Sequence, residues 1–221
     1  MDALVAFGAS LLALRLAGRL LARWRAKRAP ELAAWAASLL AYAIAAGALA
    51  WGAAGGWSDP AFRVYYLFGG LLTAPLLGVG SLLLQRRRLA LPVGLVYTGL
   101  ALGVALSVEL TSPVSGTTIP DASAHLAFLP ARLVAVVGNV AGTVAVVAVA
   151  LSTLRRRPLG NALILAGVAV AGLGSALFGL GEARAALAVA LAVVLLYAGF
   201  VAPSTGRLLP ARSSGRLVRK M

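Results

Sequence analysis

The chain has no cysteine and only one histidine among its 221 residues. The first absence excludes disulfides, thiolate metal sites and cysteine nucleophiles. The second excludes bis-histidine haem and every zinc site that needs two or more histidines. Charge is scarce too. Charged residues make up 12% of the chain, against roughly 25% in soluble domains. There are six acids, and of the twenty basic residues only Lys27 and Lys220 are lysines. Neither lysine lies in an apolar run, so a retinal Schiff base within a helical core is excluded. Polar stretches long enough for a soluble domain are missing as well.

What is present is apolar. Hydrophobic residues account for 61% of the chain and the mean hydropathy is +0.94. Runs of about 20 apolar residues recur along it, the length that crosses a bilayer. This predicts an all-α polytopic membrane protein, a bundle of seven transmembrane helices at about 2–21, 31–55, 61–85, 89–110, 131–154, 159–181 and 185–202. These form one domain, 1–203, with an external cap at 111–130 and a basic cytoplasmic tail at 204–221. The opening MDALVAFGAS has no basic n-region and does not read as a cleavable signal.

Topology follows from the arginines. With the N-terminus outside and the C-terminus in the cytoplasm, seventeen basic residues fall on the cytoplasmic side. Only Arg63, Arg132 and Arg184 fall outside, a strong positive-inside bias. The net charge of +14 therefore reads as membrane-flanking clusters that meet anionic headgroups, not as a nucleic-acid surface, since no aromatic-interleaved basic stripe exists. Arg, Ala, Leu and Gly usage suggests a high-G+C bacterium, and the expected location is a bacterial cytoplasmic (inner) membrane, multi-pass.

Helices 1–3 and 5–7 share a loop grammar: a basic run and proline (Arg28 and Pro30; Arg157 and Pro158), a Gly-bearing helix, then a Gly turn with an acid and an arginine. Parallel repeats about a linker helix are one reading; ordinary positive-inside patterning is the other. The glycine pairs 52/56, 99/103 and 138/142 mark close helix packing, Trp57 is expected at interface depth, and Pro75 interrupts helix 3.

The stretch 107–132 holds the least membrane-like chemistry, including His125, Glu109 and Asp121. Arg63, Arg132 and Arg184 each open an outside-to-inside helix, where the macrodipole disfavours a cation. Either carboxylates pair with them, or an anion or headgroup site lies at the outer mouth. Glu109, near the end of helix 4, is a partner for Arg132 or Arg63, or a proton or cation relay. Asp121 and His125, four apart, could join Glu109 around a metal, or join Ser112, Ser115 or Ser123 in a Ser–His–Asp arrangement; neither pattern is specific, and no catalytic or metal residue is assigned. Asn139, flanked by Gly138 and Gly142, either hydrogen-bonds across a close helix contact or lines a polar cavity. Tyr65 and Tyr66 sit in the outer turns of helix 3.

Three segments, Arg63-Val-Tyr-Tyr-Leu-Phe-Gly69, Gly138-Asn-Val-Ala-Gly-Thr143 and Tyr197-Ala-Gly-Phe-Val201, resemble small seven-helix polytopic membrane proteins of high-G+C bacteria. The resemblance implies the bundle and brings no activity with it. The expected function is binding or translocation of a small amphipathic or anionic molecule, lipid included, through Arg63, Tyr65, Tyr66, Glu109, Asp121, His125, Arg132 and Asn139. The alternative is a non-catalytic structural or regulatory subunit with a membrane-protein partner or a second copy. An intramembrane enzyme on a lipid-linked substrate is a distant third. No cofactor is expected.

Overall fold

The structure, a computed structural model, describes residues 2–176 and 182–202. Residues 179–181 of the turn expected at 179–184, the side chains of Glu182 and Arg184, and the tail at 204–221 fall outside the described residues. Among those described there is no strand. The long helices are α1 (Asp2–Lys27), α2 (Pro30–Gly55), α3 (Asp59–Leu84), α4 (Ala90–Ser107), α5 (Phe128–Ser152), α6 (Pro158–Ala176) and α7 (Glu182–Val201). Five of them, α1 to α5, are long and apolar enough to cross a membrane; the apolar stretches described in α6 and α7, Pro158–Ala171 and Ala190–Val201, are shorter. The chain is thus a helical protein of multi-pass membrane character.

Two boundaries depart from the sequence expectation. α1 continues past Leu21 to Lys27, because Ala, Arg and Lys are good helix formers even after the apolar run ends. It stops where Arg28 turns to φ 53° and Pro30 opens α2. α4 ends at Ser107, not near 110, so Glu109 belongs to the loop that follows.

The helices form a ring. α1 packs on α2, α2 on α3, α3 on α5, α5 on α6, α6 on α7, and α7 returns to α1. α4 stands outside that ring, against α3 and the first turn of α5. The succession of neighbours is the same in α1–α3 as in α5–α7, the arrangement that two three-helix repeats about a linker helix would have.

One end of the ring is basic. Arg86–Arg88 follow α3 and Arg155–Arg157 follow α5, and Gln85 Nε2 donates to Ser152 Oγ at 2.5 Å between those two helix ends. Arg157 reaches α7, its Nη2 donating to the carbonyls of Gly199 (3.1 Å), Phe200 (3.2 Å) and Ala202 (2.8 Å). A cation there satisfies carbonyls that a helix end leaves open. Half-burial lowers the Arg157 pKa from its ordinary value through desolvation, though not enough to discharge a guanidinium. The core at this end includes Leu20, Trp35, Leu39, Val146, Ile164 and Phe200, with Trp35 stacked on Phe200 at 4.2 Å.

Glycines set the closest approaches. A Cβ on Gly78 of α3 would sit 2.7 Å from Gly142 Cα of α5, and one on Gly142 would strike the Ala74 carbonyl. α6 and α7 meet in the same way, a Gly199 Cβ falling 2.6 Å from the Gly160 carbonyl. Gly52 differs from expectation. Its space is filled by the ring of Trp57 from the following turn, not by another helix, and Trp57 is accordingly buried at 5% exposure.

Candidate binding site at the cap end

Residues 108–127 fold over the ends of α3 and α4 and are tied down by polar contacts. The carboxylate of Asp59, at the start of α3, accepts from Val114 N at 2.8 Å. Trp57 N donates to the Gly116 carbonyl at 2.7 Å, and Thr111 N to the His125 carbonyl at 2.9 Å. Val114 and Leu126 are driven into a small core with Trp57, Phe62, Val104 and Ala131. This segment is a cap by packing as well as by position.

Within the cap, Asp121 opens a single helical turn, Ala122–His125, accepting from Ser123 N at 2.8 Å and Ser123 Oγ at 2.7 Å. The Ser123 hydroxyl, then its amide, hold the exposed Asp121 carboxyl below the usual carboxylate range. His125 turns the other way. Its Nδ1 lies 2.9 Å from Ser112 Oγ and 3.2 Å from the Ser112 carbonyl, and its ring is 5.6 Å from Phe62. Ser112 Oγ also has the Ala124 carbonyl at 3.0 Å. A proton on Nδ1 satisfies the whole set, His125 donating to Ser112 while the Ser112 hydroxyl donates to Ala124. Asp121 and His125 therefore serve separate contacts, and the serine–histidine–aspartate relay is not assembled. Among the described residues no three His, Asp or Glu side chains gather as a metal site. Glu109 is exposed and pairs with neither Arg63 nor Arg132.

The arginines also depart from the carboxylate pairing considered for them. Arg63 Nη1 donates to the Ala105 carbonyl of α4 at 3.0 Å, one of five donors on the guanidinium. Arg132 lies over the Phe128 ring at 5.7 Å. No ion pair joins either to a carboxylate among the described residues. Tyr66 donates to the Ala131 carbonyl at 3.3 Å, and Tyr65 sets its edge against Trp57 at 5.4 Å. Between these elements lies a notch of about 10 Å³, lined by Phe62, Arg63, Tyr66, Val104, Leu126 and Ala131 among others. It is apolar apart from Arg63 and the Tyr66 hydroxyl. A space that size holds about one water.

Of the eight candidate residues, the structure brings Arg63 and Tyr66 into the notch. Tyr65 and His125 pack against its walls, and Arg132 flanks it beside Ala131. Glu109 and Asp121 stay on the exposed cap. Asn139 lies deeper and is already occupied: its Nδ2 donates to the Gly70 carbonyl at 2.6 Å and the Ala135 carbonyl at 2.8 Å.

Asn139 belongs to a set that sequence reading did not assemble. α3 is not uniformly α-helical; Tyr66–Leu72 has the wider π register, with i→i+5 bonding. Pro75 has no N–H, so the Leu71 carbonyl loses its α-helical donor. Tyr97 of α4 supplies the replacement, its hydroxyl 2.9 Å from Leu71 O. Ser38 of α2 donates to Thr73 O at 2.6 Å, and Thr73 Oγ1 to Phe68 O at 2.7 Å. The signal was Pro75 itself. An orphaned carbonyl in a membrane-depth helix requires a donor, but nothing local says which residue provides it.

No family model matches the chain, and neither a curated protein nor a solved structure does.

Proposed function

We propose that this protein crosses a bacterial cytoplasmic membrane seven times, N-terminus outside and C-terminus in the cytoplasm, and binds a small anionic or amphipathic molecule at its outer face. The membrane reading rests on the apolar helices and on the arginine runs collected at one end, which would face the cytoplasm and its anionic headgroups. α6 and α7 count as the sixth and seventh spans because they pack antiparallel to each other, Gly160 meeting Gly199 and Gly167 meeting Ala192, and complete the ring between α5 and α1.

The observation that carries the binding reading is Arg63. A guanidinium beside Phe62, Val104 and Leu126, with one carbonyl bond and no carboxylate partner, is a cation waiting for an acceptor at the mouth of an apolar notch. Charge-assisted bonds to a phosphate or carboxylate would complete it. The notch is far smaller than the ~300–1,000 Å³ of enclosed ligand pockets, which favours a ligand held by its head at the surface, its apolar part lying along the protein. Asn139, Tyr97 and Ser38, the polar groups at mid-depth, are engaged by backbone carbonyls, which favours binding over passage.

Native mass spectrometry of the protein extracted gently from its own membrane tests this, beside Arg63→Ala and Arg63→Ala/Arg132→Ala. A bound small mass that is retained by the wild type and lost from both variants is expected. Equal occupancy in all three would refute the site.

A second reading, a subunit of a larger membrane complex, draws on α4. Its lipid-directed surface includes Gly99 and Gly103, around which a Cβ would meet nothing within 4 Å, so another helix could approach closely there. A protein partner at fixed stoichiometry, unaffected by the arginine variants, would establish it. The enzyme reading draws no support from the cap, where Asp121 is bonded to Ser123 and stands apart from the Ser112–His125 contact.

A further inference from the structure

The π segment of α3, Tyr66–Leu72, lies directly below the stub Asp59–Tyr65 that carries Arg63, so its register decides which way that outer stub faces. In the π register, the Gly70 carbonyl should receive its bond from residue 75, five positions on. Residue 75 is proline and has no hydrogen to give. In the α register, the same carbonyl would be served by the amide of Ala74, four positions on. The π register is therefore the one that leaves Gly70 O without a backbone donor, and Asn139 Nδ2 fills that vacancy at 2.6 Å. The bond from Thr73 Oγ1 to Phe68 O does not choose between registers, because that carbonyl has a backbone donor in either, the Leu72 amide in α and the Thr73 amide in π. The Leu71 carbonyl is different. Its α-helical donor would be Pro75, and its π donor, the Leu76 amide, is committed to the Leu72 carbonyl where the α-helix resumes at Thr73, so it needs Tyr97 whichever register Tyr66–Leu72 holds.

We infer that Tyr66–Leu72 is a register switch, held in the π state by Asn139, and that this state is what turns Arg63 toward the notch. Converting the segment to α rotates the stub Asp59–Tyr65 by the angle of one residue, about 100°, and shifts it about 1.5 Å along its axis. Arg63 then leaves the Ala105 carbonyl, and the notch loses its cation. Gly69 and Gly70, inside the segment, put the least side-chain bulk in the way of that rotation. The consequence for ligand binding rests on the reading of the notch given above; the switch itself does not.

The absence of native cysteine makes the register directly measurable. Leu4→Cys on α1 and Val64→Cys on the stub, 75% and 38% exposed, carry a pair of spin labels at the same end of the bundle. Their distance distribution is read by pulsed dipolar spectroscopy in three backgrounds. Asn139→Leu and the smaller Asn139→Ala, which remove the donor used only by the π state, are each expected to move the distribution or split it into two, by up to about 8 Å for a 100° turn of a helix of ~10–12 Å diameter. Tyr97→Phe, which removes a donor needed in both states, should lower thermal stability and leave the distance where it was. Should Asn139→Leu fail to fold, Asn139→Ala decides. Unchanged distances in the folded Asn139 variants, or an equal displacement in Tyr97→Phe, would overturn the switch. Because the readout needs no ligand, it separates failure of the switch from failure of the binding site.

Discussion

α3 and α4 follow each other in the chain with nearly the same mean hydropathy, 1.9 and 1.7, yet 44% of the apolar window of one is buried and 22% of the other. α3 sits between α2, α4 and α5, with Leu71 fully buried, whereas α4 exposes Leu91, Val93, Leu95, Val96, Leu100, Leu102 and Leu106. Their backbones differ in the same sense. α4 is a regular helix whose Thr98 hydroxyl bonds its own Gly94 carbonyl at 2.8 Å. α3 is broken by Pro75 and by a π segment, and depends on Ser38, Tyr97 and Asn139 from three other helices. In lipid a backbone group cannot turn to water. An irregular helix is therefore tenable only where neighbours surround it, and hydropathy alone cannot distinguish the surrounded helix from the exposed one.

The largest expected effect contrasts glycines on the two sides of α3. Gly142→Val drives a side chain into the Ala74 carbonyl and should cost about 3 kcal/mol or more, or prevent folding. Gly103→Val on the open face of α4 should stay within roughly 0.5 kcal/mol. Thermal melts in detergent check both, and equal losses would erase the distinction between the helices.

Next comes the tie between them. Tyr97→Phe should cost about 1 kcal/mol by orphaning the Leu71 carbonyl. In a Pro75→Ala background, where residue 75 regains an N–H, the same change should cost close to nothing. A double-mutant cycle that came out additive would show that Tyr97 does not stand in for the proline.

Asp59→Ala should be of similar size or smaller, about 1 kcal/mol, from loss of its bond to Val114 N. Its effect should be confined to the cap, seen as faster amide exchange at 108–127 with α1 and α6 unchanged.

The smallest effect is a pH dependence at Asp121. Its folded pKa lies below the ordinary carboxylate value of about 3.9, because Ser123 hydrogen-bonds the ionised form. The contribution is complete above that ordinary value and is lost as the pH falls through the lowered folded one. Amide exchange at Ser123 should therefore be unaffected between pH 7 and 5, once intrinsic exchange is corrected for, and should rise only below about 4. Asp121→Asn should abolish the pH dependence.

The polar residues divide by how local their task is. The one-turn spacing of Asp121 and His125 was legible, although the capping of that turn by Asp121 through Ser123 was not assigned from it. The partner of Arg63 was not legible. A carboxylate was the natural expectation, but Glu109 falls in the loop beyond the end of α4, and the Ala105 carbonyl takes the bond instead. Gly52 misled for a related reason. Small-xxx-small spacing says that something comes close, not whether it is a helix or, as here, the ring of Trp57.

By itself, the amino-acid sequence determined that the chain is helical and apolar, where basic residues cluster, and that Pro75 must leave a carbonyl unserved. These follow from run length, from charge order and from a missing N–H, all properties of neighbouring residues. The tertiary structure alone decided that α4 stands outside the ring, that residues 108–127 fold down as a cap, and that Asn139 reaches Gly70 from 69 positions away. Those outcomes depend on which helix faces which. Apolar surfaces pack on one another with little directional preference, so the choice is made by glycine contacts and hydrogen bonds that exist only once the helices have met.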